Sequence, residues 1–225
     1  MQVLDTIPFA PDAEQLLRAA HLSEAGEDIA AQVRELVAEA CRVARPKAVC
    51  EVCYLEAKRA GAVDFGGVTW TSRVLRANLD TVERVFVHVA TCGTELAGLA
   101  VPAGDFLLDY CLDLIKQQAL NAAHRHLSEY LADRHALGKT AAMGPGSLAD
   151  WPITEQTKLF SVIGDVERLI GVTLTESCLM IPNKSISGII YPTEVSFTSC
   201  QLCPREVCSN RRAAFDAELA AGYGL

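Results

Sequence analysis

Apolar residues recur at helical spacing in three stretches of the chain. Residues 12–44 carry an apolar stripe, which predicts two helices that begin near the candidate caps Asp12 and Ser23. Residues 105–133 and 154–169 carry further stripes and predict two more helices. The buried face predicted for residues 105–133 consists of Leu108, Cys111, Leu112, Ile115, Ala119, Ala122 and Ala123.

Short segments rich in β-branched and aromatic residues predict strands. They are residues 1–10, 47–57, 68–70, 84–91, 172–181 and 186–197. The last two are predicted to pair through Pro182-Asn183-Lys184, and residues 142–147 are predicted to form a glycine- and proline-rich loop. Strands and helices do not alternate regularly, so the pattern favours an α+β fold over a doubly wound parallel sheet.

Composition and charge narrow the classes of protein. The 225 residues suit one large domain or two small ones, and half of them are hydrophobic. A net charge of −8 counts against binding to nucleic acid or to an anionic membrane, since both need a basic face. No signal peptide or membrane-length apolar run is found, so we expect a cytoplasmic protein with protein or small-molecule partners.

The cysteines cluster near the C-terminus. Cys200, Cys203 and Cys208 have Cys-x2-Cys-x4-Cys spacing, which lets thiolates converge on one metal. Cys178 is the first candidate for a fourth ligand and Cys92 the second. An iron–sulfur cluster, most simply [4Fe–4S], is the leading interpretation; zinc, reduced thiols and a redox disulfide remain open.

The remaining cysteines and one histidine are predicted to be structural. Cys50 and Cys53 also have Cys-x2-Cys spacing, but on a strand their side chains point to opposite faces. Cys41 and Cys111 fall on apolar helical faces and are predicted to lie in the core. His88 lies in a strand, where we expect a hydrogen-bonded or exposed side chain.

Several polar and glycine positions are candidates for ligand binding. Gly144-Pro145-Gly146 predicts a tight loop whose backbone amides could approach a ligand. The hydroxyls of Ser185 and Ser187 could bind a ligand or cap a turn, and Glu176 could do so or face solvent. No serine-protease triad, P-loop or dinucleotide-binding fingerprint is present.

A series of motifs in the second half of the chain stands in a recognisable order. Its members are Pro145-Gly146, Trp151-Pro152, Gln156, Leu159-Phe160, Gly171-Val172, Leu174-Thr175-Glu176-Ser177, Met180, Pro182 and Ser185-Ile186-Ser187-Gly188. Over roughly residues 105–191, this order and spacing resemble the activation (S-adenosylmethionine-binding) domain of cobalamin-dependent methionine synthase and its free-standing relatives.

The resemblance implies both a fold and a role. It implies a twisted antiparallel sheet with flanking helices, which we assign to residues 1–197. We expect the cysteine-containing tail, residues 198–225, which is an addition to the family pattern, to pack on this domain. The resemblance also implies an accessory protein for a corrinoid-dependent methyltransferase. In the family, one electron and a methyl group from S-adenosylmethionine restore the oxidised cobalamin carried by the partner. The resemblance leaves open whether the chain itself catalyses methyl transfer or corrinoid reduction.

The chain departs from the family pattern where the ligand would bind. Ala142 stands in place of an arginine and Ser147 in place of an aromatic residue, while Asn121 and Arg125 replace acidic residues. Losing one bidentate arginine contact costs roughly 1.5–3 kcal/mol, so these changes count against ordinary S-adenosylmethionine binding. With the added cysteines, they suggest electron delivery by an iron–sulfur cluster. A standalone iron–sulfur redox or sensing protein and a zinc-stabilised binding module are the alternatives.

Overall fold

The computed structural model describes residues 1–194, 197–208 and 211–225. The strands are β1 (Gln2–Leu4), β2 (Lys47–Arg59), β3 (Ala62–Phe65), β4 (Val68–Thr71), β5 (Arg84–Thr91), β6 (Thr140–Met143), β7 (Thr173–Leu174), β8 (Met180–Ile181) and β9 (Ser185–Pro192). The α-helices are α1 (Ala13–Ala19), α2 (Glu27–Val43), α3 (Arg73–Asn78), α4 (Thr94–Ala97), α5 (Phe106–His135), α6 (Gln156–Ile163), α7 (Val166–Ile170) and α8 (Ala217–Gly222). Short 3-10 turns cover Ile153–Glu155 and Ser199–Leu202.

One antiparallel sheet organises the molecule. Its strand order is β4-β3-β2-β5-β9-β6, and β1 pairs with the first half of β2. The register shifts between Leu55 and Ala57 of β2, where pairing with β3 takes over from pairing with β5. Helices lie against both faces of the sheet. The predicted α+β class, with an antiparallel sheet and flanking helices, is confirmed.

Strand β5 lies at the centre of the sheet because both of its faces are apolar. Val85, Val87 and Val89 belong to the core on the side of α6 and α7. Phe86 and Ala90 belong to the core beneath α5. Alternate side chains of a strand point to opposite faces, so a strand apolar on both faces is stable only when covered on both.

Helix α5 was predicted closely, and its partners α1 and α2 only in part. Every residue predicted for the apolar face of α5 is buried, and Asp105 caps its first turn. Asp12 caps α1 by accepting a hydrogen bond from the Gln15 amide at 2.6 Å. The start predicted at Ser23 is wrong, because α2 begins at Glu27 after Gly26, without a side-chain cap.

The predicted helix over residues 154–169 is wrong in extent. Helix α6 ends at Ile163 and is followed by Gly164, whose φ of 93° is unfavourable for a residue with a side chain. Asp165 then caps α7 as a separate helix. Strand β3 and helix α3, the latter capped by Ser72, were not predicted.

The predicted pairing of residues 172–181 with 186–197 is also wrong. Strands β7 and β8 pair with each other in a small hairpin, held by two hydrogen bonds between Thr175 and Leu179. Strand β9 instead lies between β5 and β6. It joins the main sheet because Ile189, Ile190 and Tyr191 are buried there.

The C-terminal segment packs against the body of the protein. Leu202 and Ala220 are buried in the core beneath the sheet, and the rings of Phe197 and Tyr223 lie 6.1 Å apart. Asp216 caps α8. The boundary at residue 197 stays a prediction. Within the described ranges, no helix is both long and apolar enough to cross a membrane.

Candidate ligand cleft

A cleft of about 300 Å³ opens where β6 ends beside β9. Its walls come from β5, α5, the loop after β6, β9 and the C-terminal segment. The lining residues are His88, His124, Ala142, Met143, Gly144, Pro145, Ser147, Ile186, Ser187, Thr198, Ser199, Cys200 and Arg212. The loop of the family resemblance and the cysteine-containing segment therefore meet in one place.

Two glycines allow the loop to lie directly on β9. A Cβ atom on Gly188 would stand 2.2 Å from the carbonyl oxygen of Met143, and one on Gly144 would stand 2.5 Å from that of Ser187. Neither approach is possible with a side chain. The Ser147 hydroxyl donates to the Gly144 carbonyl at 2.6 Å, which closes the tight turn predicted from the sequence.

A histidine pair lies beside this loop, within the body of the protein. His88 is 1% exposed, and neither of its ring nitrogens has a hydrogen-bond partner among the described residues. The ring centroid of His124 is 5.4 Å away, and its Nε2 is also buried without a partner in that part of the chain. Burial, and then the neighbouring His124, lower the pKa of His88 to about 3, so the ring is neutral.

His88 is buried, so the solvent-exposed alternative for this side chain is wrong. His88 shares the inward face of β5 with Phe86 and Ala90, and His124 follows Leu120 and Ala123 on the inward face of α5. That periodicity was visible in the sequence. What it could not show is that the two faces meet at this point.

The six predicted cofactor-binding residues separate into two groups. Gly144, Pro145 and Ser187 line the cleft, and the buried Ser187 hydroxyl has no partner within the described residues. Gly146 belongs to the same loop but does not line the cleft. Ser185 donates to the Pro182 carbonyl at 2.7 Å, as a turn residue does, and its hydroxyl oxygen lies 2.9 Å from that of Thr91.

Glu176, the sixth of these residues, is exposed in the turn between β7 and β8 and does not line the cleft. Its placement matches the solvent-facing alternative that the sequence left open. A ligand contact by Glu176 stays a prediction.

Cys200 reaches the cleft from the 3-10 turn. Its Sγ accepts a hydrogen bond from the backbone N–H of Arg212 at 3.4 Å. This N–H is the largest cause of a lowered pKa at the Cys200 thiol. The hydroxyl of Thr198, the backbone of Ala213 and the charge of Arg211 act in the same direction, and partial burial opposes them.

Arg211 organises the segment around Cys200. Its guanidinium donates to the carbonyls of Cys200 at 3.3 Å, Ala213 at 3.2 Å and Cys203 at 3.3 Å, and also to that of Arg205. One planar group with five N–H donors can satisfy several carbonyls at once. The backbone of the C-terminal segment is therefore arranged around the positively charged side chain of Arg211.

The described structure does not gather the four predicted metal ligands. Cys203 is partly buried against the core, whereas Cys208 is exposed. Cys178 is buried in the β7–β8 hairpin, and its carbonyl accepts from Gln156. Across residues 1–194, 197–208 and 211–225, no three His, Cys, Asp or Glu side chains are placed to hold a metal ion.

Metal binding at Cys200, Cys203, Cys208 and Cys178 therefore stays a prediction from spacing. Cys92, the second choice for a fourth ligand, is fully buried, and its thiol donates to the Gly93 carbonyl. Burial raises the pKa of the Cys92 thiol to about 11, which disfavours the thiolate form that metals require.

The structural cysteines follow the prediction with one exception. Cys50 and Cys53 are buried in different cores on opposite faces of the sheet. Cys111 is buried in α5. Cys41 is exposed, contrary to prediction, because α2 buries the neighbouring face that contains Ala40.

The positions that depart from the family pattern surround the cleft. Ala142 lines it, and the side chain of Ser147 is used in the turn. Asn121 and Arg125 line an adjoining depression and contribute no negative charge. The sequence did not single out His124 or Arg212 for this site.

Two comparisons with known proteins find related molecules. Residues 116–203 match the family model described as vitamin B12 dependent methionine synthase, activation domain. A crystal structure of the MetH reactivation domain bound to AdoHcy matches with a TM-score of 0.56 and 17% identity, covering 83% of this chain and 68% of that one. At this identity the likeness concerns the fold. No curated protein matches the chain. The chain is therefore similar to the activation domain of vitamin B12-dependent methionine synthase, in sequence over residues 116–203 and in fold over most of its length, as its motifs predicted.

Proposed function

We propose that this chain is an accessory protein for a cobalamin-dependent methyltransferase such as methionine synthase, and that it takes part in reductive reactivation of the corrinoid. The match of residues 116–203 to the activation-domain family carries the proposal. The fold, shared with a MetH reactivation domain, supports it. The cobalamin would be held by the partner, and both proteins would act in the cytoplasm.

The cleft beside Gly144 and Pro145 is the proposed small-molecule site. Its loop and its β9 wall lie within residues 116–203, which match the family model, and the related MetH domain was crystallised with AdoHcy. The buried hydroxyl of Ser187 and the nitrogens of His88 have no partner among the described residues, so a ligand could satisfy them. Gly146, Glu176 and Ser185 stay in the proposal on their sequence positions alone.

The iron–sulfur cluster is a finer part of the proposal and rests on cysteine spacing. Cys200, Cys203 and Cys208, with Cys178 as the fourth, would be its ligands. In the described arrangement these side chains do not form a ligand group, so no electron-transfer step is assigned to the tail. Zinc at the same cysteines is the alternative metal.

A reactivation assay tests the function directly. A cobalamin-bearing methyltransferase is oxidised to its cob(II) form and given a chemical reductant and S-adenosylmethionine, with or without this chain. We expect the chain to bind the methyltransferase and to accelerate the return of the methylcobalamin absorbance. The proposal would be refuted if the chain neither bound the methyltransferase nor accelerated the return of this absorbance. An iron-containing chain without effect on the corrinoid would instead favour a standalone redox or sensing protein.

A further inference from the structure

The charge of the cleft is opposite to that of the protein as a whole. The chain has a net charge of −8, yet no Asp or Glu is among the described residues that line the cleft. The one permanently charged side chain among those lining residues is Arg212. His88 and His124 line the same cleft, and burial lowers the pKa of both. Among the described lining residues, Arg212 therefore supplies the permanent positive charge, beside imidazole, hydroxyl and thiol groups.

Arg212 is tied to the C-terminal segment through its backbone, and its side chain is exposed. Its backbone N–H donates to Cys200, and its positive charge contributes to the lowered pKa of His124. Within the described residues, its guanidinium forms no ion pair. Ala142 lines the cleft with a methyl group only, which leaves room for the side chain of Arg212 or for a ligand.

Further groups in the cleft have unused hydrogen-bonding capacity. His88 is almost completely buried and Ser187 is 6% exposed, and neither side chain has a partner in the described part of the chain. Buried polar groups without partners are costly, and native proteins commonly satisfy them with water or a ligand. These groups and Arg212 come from β5, β9 and the C-terminal segment, so they form a site only in the folded chain.

We propose that this cleft binds a small molecule through a negatively charged group that pairs with Arg212, and that it discriminates against a ligand whose sulfur is a sulfonium cation. The proposal deepens the proposed function, on which it rests, by naming the charge class of the ligand. AdoHcy and S-adenosylmethionine share a carboxylate and an ammonium group, but the sulfur of AdoHcy is a neutral thioether and that of S-adenosylmethionine is a positively charged sulfonium. No carboxylate lines the described cleft to compensate that sulfonium.

The proposal also gives the C-terminal segment a role other than metal binding. Arg212 lies beyond residue 203, where the match to the family model ends. The segment that curls around Arg211 would carry the anion-binding group into the cleft. The site would thus be completed by a part of the chain outside the family-matched region.

Titration calorimetry with the chain alone and three probes tests this. The probes are AdoHcy, S-adenosylmethionine and 5′-methylthioadenosine, which has the adenosyl thioether but neither the carboxylate nor the ammonium group. We expect AdoHcy to bind most tightly. Arg212→Ala should weaken AdoHcy about 10- to 100-fold, the effect of losing one charged hydrogen-bonded contact, and leave 5′-methylthioadenosine unchanged. Arg205→Ala removes the same charge from the same segment outside the cleft and should change neither affinity.

Alkylation of Cys200 provides a second measurement. AdoHcy should protect Cys200 from iodoacetamide, while the exposed Cys41 on α2 serves as an internal reference. Three results would overturn the proposal: no AdoHcy binding to the wild-type chain, equal binding of AdoHcy and 5′-methylthioadenosine, or an AdoHcy affinity that Arg212→Ala does not change. No corrinoid protein is present, so these failures are distinct from a failure in the reactivation assay.

Discussion

The imidazole rings of His88 and His124 lie with their centroids 5.4 Å apart, one on β5 and the other on α5. Burial lowers the pKa of both rings; His124 lowers that of His88 further, and Arg212 lowers that of His124, so the uncharged forms are favoured. An uncharged pair can sit beneath the sheet and still present nitrogens to the cleft. Protonation of His88 would instead bury a charge beside α5.

His88 should make the protein less stable in acid. Its pKa is near 6.5 in the unfolded chain and about 3 in the folded protein. The stabilisation is therefore complete above about pH 6.5 and is lost as the pH falls toward 3, since only the unfolded chain then takes up the proton. Between pH 7 and pH 4, we expect this residue to lower the free energy of unfolding by about 3 kcal/mol.

Urea unfolding of His88→Leu over this pH range checks the prediction. The variant should lose most of the pH dependence attributed to His88. Phe86→Leu is the matched control, since it alters packing on the same face of β5 without removing a titrating group. It should lower the free energy of unfolding at every pH but leave its dependence on pH as in the wild type. If His88→Leu kept the wild-type dependence on pH, His88 would not be its source.

Gly188→Ala should destabilise the fold strongly. The new Cβ would stand 2.2 Å from the Met143 carbonyl oxygen, so β6 and β9 would have to separate. Overpacking of this kind typically costs about 1–3 kcal/mol, and a backbone obstacle belongs at the upper end. Gly138→Ala, which meets no atom within 4 Å, should stay within about 1 kcal/mol of wild type in the same denaturant titration. Equal stability of the two variants would show that β6 and β9 do not approach each other this closely at Gly188.

Arg211→Ala should loosen the C-terminal segment without unfolding the protein. It removes the donor shared by the carbonyls of Cys200, Cys203, Arg205 and Ala213. We expect amide hydrogen exchange over residues 198–208 to rise about tenfold, while exchange in β5 stays as in wild type. Arg205→Ala keeps its backbone carbonyl and should leave exchange unchanged. If the amides of residues 198–208 exchanged as slowly in Arg211→Ala as in the wild type, the packing of Leu202 alone would hold the segment in place.

Anaerobic reconstitution with iron and sulfide tests the metal prediction. The cysteine spacing predicts a brown protein with broad absorbance near ~400 nm that dithionite bleaches. Cys203→Ser should lose most of this absorbance, whereas Cys41→Ser, at an exposed position on α2, should keep it. A colourless protein containing zinc would favour the structural alternative. A chain that takes up neither metal would contradict the prediction, and circular dichroism of Cys203→Ser would exclude misfolding as the reason for a loss.

The parts of the fold that were predicted well depend on local patterns. Strand β5 was predicted with its bounds, and α5 within two residues at its C-terminal end, because each has strong periodicity and α5 has Asp105 as a cap. The short strands β7 and β8 gave no such signal. Their pairing depends on hydrogen bonds between Thr175 and Leu179. The neighbouring β9 instead pairs with β5, which lies far away in the sequence.

The sequence by itself determined the fold class, the family resemblance, the glycine-containing loop and the separation of Cys50 from Cys53, since these follow from residue type, order and the periods of helix and strand. Only the tertiary structure decided which side chains share the cleft. His88, His124, Ser187 and Arg212 come from four different parts of the chain and converge because β9 is inserted between β5 and β6. No local pattern encodes that convergence, since it is the packing of distant apolar faces that places these polar groups together.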